Sequence, residues 1–215
     1  MPRKTTCYPV GMNTTILPEA GPVQPEKSET SLVPGRGNSL GRWRLIVGPR
    51  SLNSALLAAI ARMGLGGPVR VLDGGNRFNA YIVARAVAGR TEVLSRITVS
   101  RAFTCYQVLS LLESTPAIQA TAIMDELAPP RLVALDLLNT FYDESVRLVE
   151  RKRLLQACLR QLARLAGNAS AISVHPPALP SQAAVDLLEM LKASPVVETY
   201  FAQPALPPPE LWRLF

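Results

Sequence analysis

The residues of this chain that could bind a phosphate group lie in the segment VGPRSLNSALL, residues 47–57, between an apolar run and a helix-like run. A phosphate-binding loop of the form GxxxxGKS or GxxxxGKT turns backbone N–H groups onto the phosphates, while its lysine reaches them and its hydroxyl group binds magnesium. Gly48 supplies the first glycine, but Asn53, Ser54 and Ala55 stand where the second glycine, the lysine and the hydroxyl residue belong. One glycine among three signature positions does not identify a nucleotide site. Evidence for or against such a site must come from the neighbouring segments.

The composition indicates an intracellular protein with acidic partners. The 215 residues carry a formal net charge of +7, and nucleic acid is the commonest acidic partner of basic proteins. Cys7, Cys105 and Cys158 have no CxxC spacing and the chain has one histidine, so we expect no zinc or other metal site. The sparse cysteines fit a reducing compartment, cytoplasmic or nuclear. No apolar run reaches 18 residues and the N-terminus lacks a signal-peptide core, so no membrane association is expected.

Strand-like and helix-like segments alternate after residue 41. Residues 1–40 are rich in Pro, Gly, Ser and Thr and predict a disordered or loosely docked arm. The predicted strands cover residues 45–47, 69–72, 97–99, 132–135 and 171–174. The predicted helices cover residues 51–63, 79–88, 106–113, 145–166 and 181–192. This alternation predicts one α/β domain, residues 41–215, with a mostly parallel central sheet and helices on both faces.

Two segments of this domain are less regular. Residues 117–126 suit either a helix or a strand. The Pro-rich, aromatic C-terminal tail, VVETYFAQPALPPPELWRLF, could add a strand, and its aromatic side chains could pack on their own domain or against a partner subunit.

Four segments occur in an order that extends the comparison beyond the loop: RVLDGGNRFNAYIVARA, ITVSRAFTCYQVLSLLE, RLVALDLLNTFYDES and RKRLLQACLRQLARLAGNASAISV. With the loop, they resemble the core of the RecA/RadA recombinase family over residues 44–174. The resemblance implies a RecA-like P-loop NTPase fold. Phe78 matches a phenylalanine of the family, and residues 101–103 match its Arg-Ala-Phe/Tyr segment.

The resemblance also implies that most of the family's catalytic groups are missing. Asp136 occupies the Walker B position, where a carboxylate organises magnesium. Asp73 matches the aspartate of an Asp-x-Glu segment, but the glutamate that positions the attacking water falls on Gly75. The chain therefore resembles a degenerate paralogue that lacks the Walker A lysine and is not expected to hydrolyse ATP by itself. The candidate residues of this degenerate nucleotide site are Gly48, Arg50, Ser51, Asn53, Ser54 and Asp136.

A cluster of arginines marks the long predicted helix and the residues just before it: Arg147, Arg151, Arg153, Arg160 and Arg164. These residues form either a solvated basic face or a contact for a nucleic-acid backbone or an acidic partner. The segments that match the family's two DNA-binding loops, NTFYDE and HPPALPSQ, are short and lack Lys and Arg, which argues against strand exchange. His175 could be a ligand or a base, but a loop residue without a catalytic role is favoured. GGN at residues 74–76 could cradle an anion, but a strand-exit turn is favoured.

The sequence thus favours a non-catalytic RecA/RadA-like paralogue that acts as an accessory or structural subunit in DNA recombination or repair. Its expected partners are a RecA-fold paralogue or recombinase subunit in a hetero-oligomer, and single- or double-stranded DNA. No cofactor is expected, although residual ATP binding stays open. Two alternatives remain, namely an ATPase whose site is completed in trans by Arg50 or Arg101, and a protein-interaction module unrelated to DNA.

Overall fold

The computed structural model describes residues 42–117 and 130–201. Its centre is a six-stranded sheet with the strand order β3-β2-β4-β5-β1-β6, in which every neighbouring pair is parallel. The strands are β1 Trp43–Val47, β2 Val69–Asp73, β3 Ile97–Arg101, β4 Arg131–Leu135, β5 Ala169–Val174 and β6 Val197–Phe201. The prediction of an α/β fold with a parallel sheet is confirmed, and the C-terminal strand that the sequence left open is present.

In the part of the chain that the structure describes, six α-helices connect these strands. They are α1 Asn53–Leu65, α2 Ala80–Ala86, α3 Glu92–Ser95, α4 Cys105–Ser114, α5 Leu148–Arg164 and α6 Gln182–Lys192. Side chains cap three of the N-termini, since Asn79, Thr104 and Ser181 accept hydrogen bonds from backbone N–H groups of α2, α4 and α6 respectively. These caps fix where each helix begins at the carboxyl edge of the sheet.

The helices cover both faces of the sheet, and β4 shows why. Leu132 and Ala134 belong to one core, which contains residues of α4, α5 and α6, whereas Val133 and Leu135 belong to a second core with α1, α2 and α3. Successive side chains of a strand point to opposite faces, so a continuous apolar run such as RLVAL serves both cores. In the first core, Trp43 donates its indole N–H to the carbonyl of Leu162 at 2.9 Å.

Some element boundaries differ from the predictions. The long helix starts at Leu148 and not at residue 145, because residues 139–142 form a 3-10 turn and Asp143 accepts a hydrogen bond from the Ser145 N–H. The helix α3 was not predicted, since four residues carry too little periodicity. The arm of residues 1–40, most of the ambiguous segment 117–126 and the tail beyond residue 201 lie outside the described residues. None of the described helices is long and apolar enough to cross a bilayer.

Candidate functional site

The carboxyl ends of β2 and β4 form the natural ligand crevice of this sheet. The two strands are neighbours, but the chain leaves β2 towards β3 and leaves β4 in the opposite direction, towards β5. Ligands of open parallel sheets bind where such connections diverge, beyond the carboxyl ends of the strands. Asp73 is the last residue of β2 and Asp136 directly follows β4, so two carboxylates meet at this point.

Asp136 is completely buried and has a backbone φ of 48°, a left-handed value that only Asn, Asp and Gly adopt with any frequency. Its N–H donates to the Ser173 hydroxyl at 2.9 Å. One carboxylate oxygen accepts the backbone N–H of His175 at 3.0 Å, and the other accepts Nε of Arg77 at 2.9 Å. The carboxylate is thus already bound to a cationic group of its own chain.

Asp73 is equally buried and is held by the segment that follows it. Its two oxygens accept the backbone N–H groups of Arg77, at 2.8 Å, and Phe78, at 2.9 Å. The guanidinium of Arg101 lies 3.6 Å from the same carboxylate and also donates to the carbonyl of Phe78 at 3.2 Å. We call Asp73, Arg77, Arg101 and Asp136 the crevice cluster; each of its buried carboxylates faces one arginine.

Gly75 is required by the close packing of the crevice. A Cβ atom at this position would lie 2.5 Å from both Cβ and Oδ2 of Asp136, a distance that real Cβ atoms do not show. Gly74 is also tight, since its Cβ would lie 3.1 Å from the Asp136 carbonyl oxygen. The GGN segment forms a bend directly after β2, as expected, with Asn76 at a φ of 53°. No side chain can occupy position 75 while Asp136 keeps this place.

The loop after β1 turns into α1 through a 3-10 helix, Arg50–Leu52. Gly48 donates its N–H to Val174 at 3.2 Å, and Asn53 donates its side-chain amide to the carbonyl of Arg77 at 3.0 Å. The loop is therefore tied to β5 and to the crevice cluster.

The other three candidate residues of the loop do not bind to the crevice cluster. The side chains of Arg50, Ser51 and Ser54 are exposed, and within the described residues none of them makes a hydrogen bond or ion pair with the crevice cluster. The structure thus brings Gly48, Asn53 and Asp136 together and leaves the other three candidates at the rim.

His175 lies at the centre of this arrangement, a position that sequence reasoning missed. It follows β5, is 3% exposed, and contacts Asp136 through its backbone N–H and the carbonyl of Gly48 through Nδ1, at 3.0 Å. Its Nε2 is buried and has no partner among the described residues. The sequence feature that could have identified His175 is its position directly after an apolar strand. Side chains at that position lie at the carboxyl edge of a parallel sheet, where ligands bind.

Four of the five arginines clustered at the long helix, all except Arg151, have exposed side chains but differ in their partners. Arg147 and Arg160 are exposed. Arg153 is exposed too, but it forms two hydrogen bonds with Glu150, at 2.8 and 2.7 Å. Arg164 donates to main-chain carbonyls at the end of α4.

Arg151 does not lie on the solvent face. It is 6% exposed and donates to the carbonyl of Phe141 at 3.1 Å, because it sits one helical turn before the buried Leu155 and shares its face. The sequence interpretation of Arg151 as a DNA or partner contact therefore needs correction, since its guanidinium is used inside the fold.

In the crevice cluster two arginines face two carboxylates, so the formal charges cancel. The carboxylate of Asp136, which would have to organise a metal ion for phosphoryl transfer, faces the Arg77 guanidinium. Nearby, burial and the charge of Asp136 raise the pKa of the Tyr142 phenol. Within residues 42–117 and 130–201, no group of three or more His, Cys, Asp or Glu side chains is placed to hold a metal ion.

Comparisons with known proteins add no assignment: no family model matches the chain, and no curated protein matches it significantly.

Proposed function

We propose that this chain is a RecA/RadA-like paralogue that has lost ATPase chemistry and serves as an accessory or structural subunit in DNA recombination or repair. The observation that carries the proposal is the ion pair between Arg77 and Asp136, in which a guanidinium faces the Walker B carboxylate. Beside it, the loop after β1 has no lysine, and its Asn53 side chain is committed to the Arg77 backbone.

The sheet supports the RecA-like P-loop part of the proposal. A phosphate loop after β1 and a Walker B aspartate after β4 must be close enough to share one nucleotide. Here β5 separates the two strands, so their ends lie roughly 10 Å apart, two strand spacings. His175 at the end of β5 contacts both sides, Gly48 through its ring and Asp136 through its backbone. These contacts support the proposal that the chain's own residues now occupy the place of an ancestral nucleotide site.

The loss of hydrolysis follows from the charges. Phosphoryl transfer depends almost entirely on cations and carboxylates placed around the phosphates. In this chain Ser54 replaces the lysine, and Ala55 replaces the magnesium-binding hydroxyl residue. Gly75 stands in place of the water-positioning glutamate, and a Cβ atom at this position would clash with Asp136. We infer that the subunit acts through binding, in the cytoplasm or nucleus, to a RecA-fold partner in a hetero-oligomer, to DNA, or to both.

ATP turnover tests this proposal. The purified chain and its Asp136→Ala variant should show the same background release of phosphate from ATP with magnesium, because the lysine, the magnesium-binding hydroxyl and the water-positioning glutamate are absent. Turnover at an ordinary ATPase rate that requires magnesium and disappears in Asp136→Ala would overturn it.

One observation favours a second candidate, completion of a partner's site in trans. Arg50 is exposed at the loop and its side chain makes no hydrogen bond or ion pair among the described residues, whereas Arg101 is held by Asp73. An arginine free to reach a neighbour's phosphates can stabilise the transition state of phosphoryl transfer. A partner ATPase whose turnover is unaffected by Arg50→Ala in this chain would exclude that role.

A further inference from the structure

An apolar groove opens between α5 and α6 at the amino edge of the sheet, opposite to the edge that carries the crevice cluster. Its volume is about 450 Å³, within the range of sites that enclose a small molecule. Three of its side chains are half-buried and pack against the first core, namely Leu159, Met190 and Val196. We call this surface the α5–α6 groove; it can take several side chains of a peptide.

Contacts within the chain fix both walls of the α5–α6 groove. Lys152 of α5 and Asp186 of α6 form an ion pair at 2.8 Å near the starts of the two helices, and the groove opens from there towards their ends. The carbonyl of Val196 accepts the N–H of Trp43 at 2.7 Å, which ties the turn after α6 to β1. The groove is therefore preformed, and a ligand does not have to order it.

Arg160 gives the groove a positive rim. Its side chain is exposed and makes no hydrogen bond or ion pair in the described part of the chain, and the other residues that line the groove are uncharged. An apolar floor beside one free cation fits an apolar segment that carries a negative charge at one end.

Residues 210–215, ELWRLF, have this chemistry, although they lie outside the described residues. Glu210 comes first, and four of the five residues after it have large apolar side chains. The three prolines before them, residues 207–209, restrict the backbone, so less conformational entropy is lost when the segment binds.

The chain is long enough to bring residues 210–215 back to the groove. Strand β6 starts directly after Val196 and ends at Phe201, so these two residues are about 17 Å apart, five residues at roughly 3.3 Å each. Residues 202–205 span at most about 14 Å and cannot cover that distance, whereas residues 202–210 span up to about 30 Å. The reach of the chain thus selects the later, aromatic part of the segment.

The residues before β1 are a weaker occupant, because their charge is wrong. They leave the sheet beside the groove, where Trp43 is bonded to Val196. However, residues 31–42, SLVPGRGNSLGR, contain two arginines and no acidic residue, so they would place positive charge beside Arg160.

We propose that residues 210–215 bind in the α5–α6 groove of the same chain, with Trp212 on the apolar floor and Glu210 towards Arg160. Burial of the large apolar side chains carries the binding, while the exposed ion pair adds little stability and sets the direction of the segment. Because groove and segment belong to one chain, any outside partner of this surface must displace a ligand of high effective concentration. The inference goes beyond the proposed function, since it involves neither nucleotide nor DNA.

Quenching of tryptophan fluorescence by acrylamide tests the inference, because the chain has two tryptophans and Trp43 is completely buried. In the full chain Trp212 should be shielded, so quenching should hardly exceed that of Trp212→Phe, which keeps Trp43 alone. Ala163→Glu puts a charged side chain into the groove and should favour the undocked segment. The quenchable share should then rise to about half, since one of the two tryptophans becomes accessible.

Two further variants make the result specific to the groove. Ala193→Glu, on the opposite wall, should have the same effect and gives the answer if Ala163→Glu does not fold. Ala80→Glu is the matched control, at an exposed position in the first turn of α2, and should leave the quenching unchanged. A quenchable share well above half would mean that Trp43 is exposed as well, which identifies an unfolded variant.

Three outcomes would overturn the inference. Ready quenching of Trp212 in the unmodified chain would leave the groove to another occupant. Shielding that both groove variants leave unchanged would place residues 210–215 elsewhere, and shielding that is lost on dilution would mean that the groove binds the segment of a second copy. None of these results bears on ATP turnover, so the proposed function stands or fails separately.

Discussion

At the scale of single residues, Arg77 joins three parts of the crevice. Its side chain binds Asp136 after β4, its N–H binds Asp73 at the end of β2, and its carbonyl accepts the Asn53 amide from the start of α1. A buried carboxylate that loses its cationic partner is strongly destabilising, because the charge stays out of water without compensation. Arg77 is therefore expected to contribute to the stability of the fold.

Arg77→Met tests that contribution. It keeps the apolar stem but removes the charge, and we expect the free energy of unfolding to fall by about 2–3 kcal/mol, less than for a fully buried pair because the Arg77 side chain is 24% exposed. Arg62→Met, at an exposed position on α1, should change it by less than about 0.5 kcal/mol. Urea denaturation measures both; equal midpoints for Arg77→Met and the unmodified chain would contradict this role.

The residues of the site show how far sequence reasoning reaches. Asp136 could be found because it ends a continuous apolar strand, and Gly48 because it follows another. Arg77 could not be found as the partner of Asp136, because the pair spans 59 positions and depends on β2 lying next to β4. Local patterns carry no information about strand order, so contacts between strand ends stay hidden until the sheet is known.

At the scale of elements, hydrophobic periodicity predicted the type of every long element. The run RLVAL is a strong strand signal because every residue of the run is apolar or flanks a buried position on one of the two faces. The pattern of α5 is a strong helix signal because apolar residues recur along one stripe over several turns. The same pattern does not show that Arg151 is buried, since it records which positions are apolar and an arginine can still lie on the buried stripe. The helix α5 uses its arginines for packing at both ends.

Arg164 illustrates this use and gives a second stability prediction. Its Nη2 donates to the carbonyls of Leu112, at 2.8 Å, and Thr115, at 2.9 Å, at the end of α4, where the regular hydrogen bonds of a helix stop. Arg164→Ala should therefore lower the free energy of unfolding by about 1–2 kcal/mol.

Arg160→Ala is the matched control on the same helix. The Arg160 side chain is exposed and has no hydrogen bond or ion pair in the described part, so its removal should cost less than about 0.5 kcal/mol. If urea denaturation showed the same decrease in the free energy of unfolding for Arg164→Ala and Arg160→Ala, Arg164 would be part of a solvated basic face, which is one of the two interpretations of the sequence.

At the scale of the whole molecule, the crevice lies where the two cores meet. Leu135, just before Asp136, packs with α1, α2 and α3, whereas Leu137, just after it, packs with α4, α5 and α6. A ligand that contacted the Asp136 carboxylate oxygen now paired with Arg77 would have to separate the two residues, and both are anchored to this shared sheet. The cost of that separation opposes the binding of any ligand that needs the Asp136 carboxylate.

This opposition predicts how the melting temperature responds to nucleotide. A ligand bound only by the folded state at a hundred times its dissociation constant adds about 2.7 kcal/mol of stability, which raises the melting temperature of a domain of this size by several degrees. Because a guanidinium already faces Asp136, millimolar MgATP should shift the melting temperature by less than about 1 °C, no more than magnesium chloride with free phosphate. A shift of several degrees that needs the whole nucleotide would mean that Arg77 yields to the ligand, and the crevice would then be a working nucleotide site closed by a displaceable arginine.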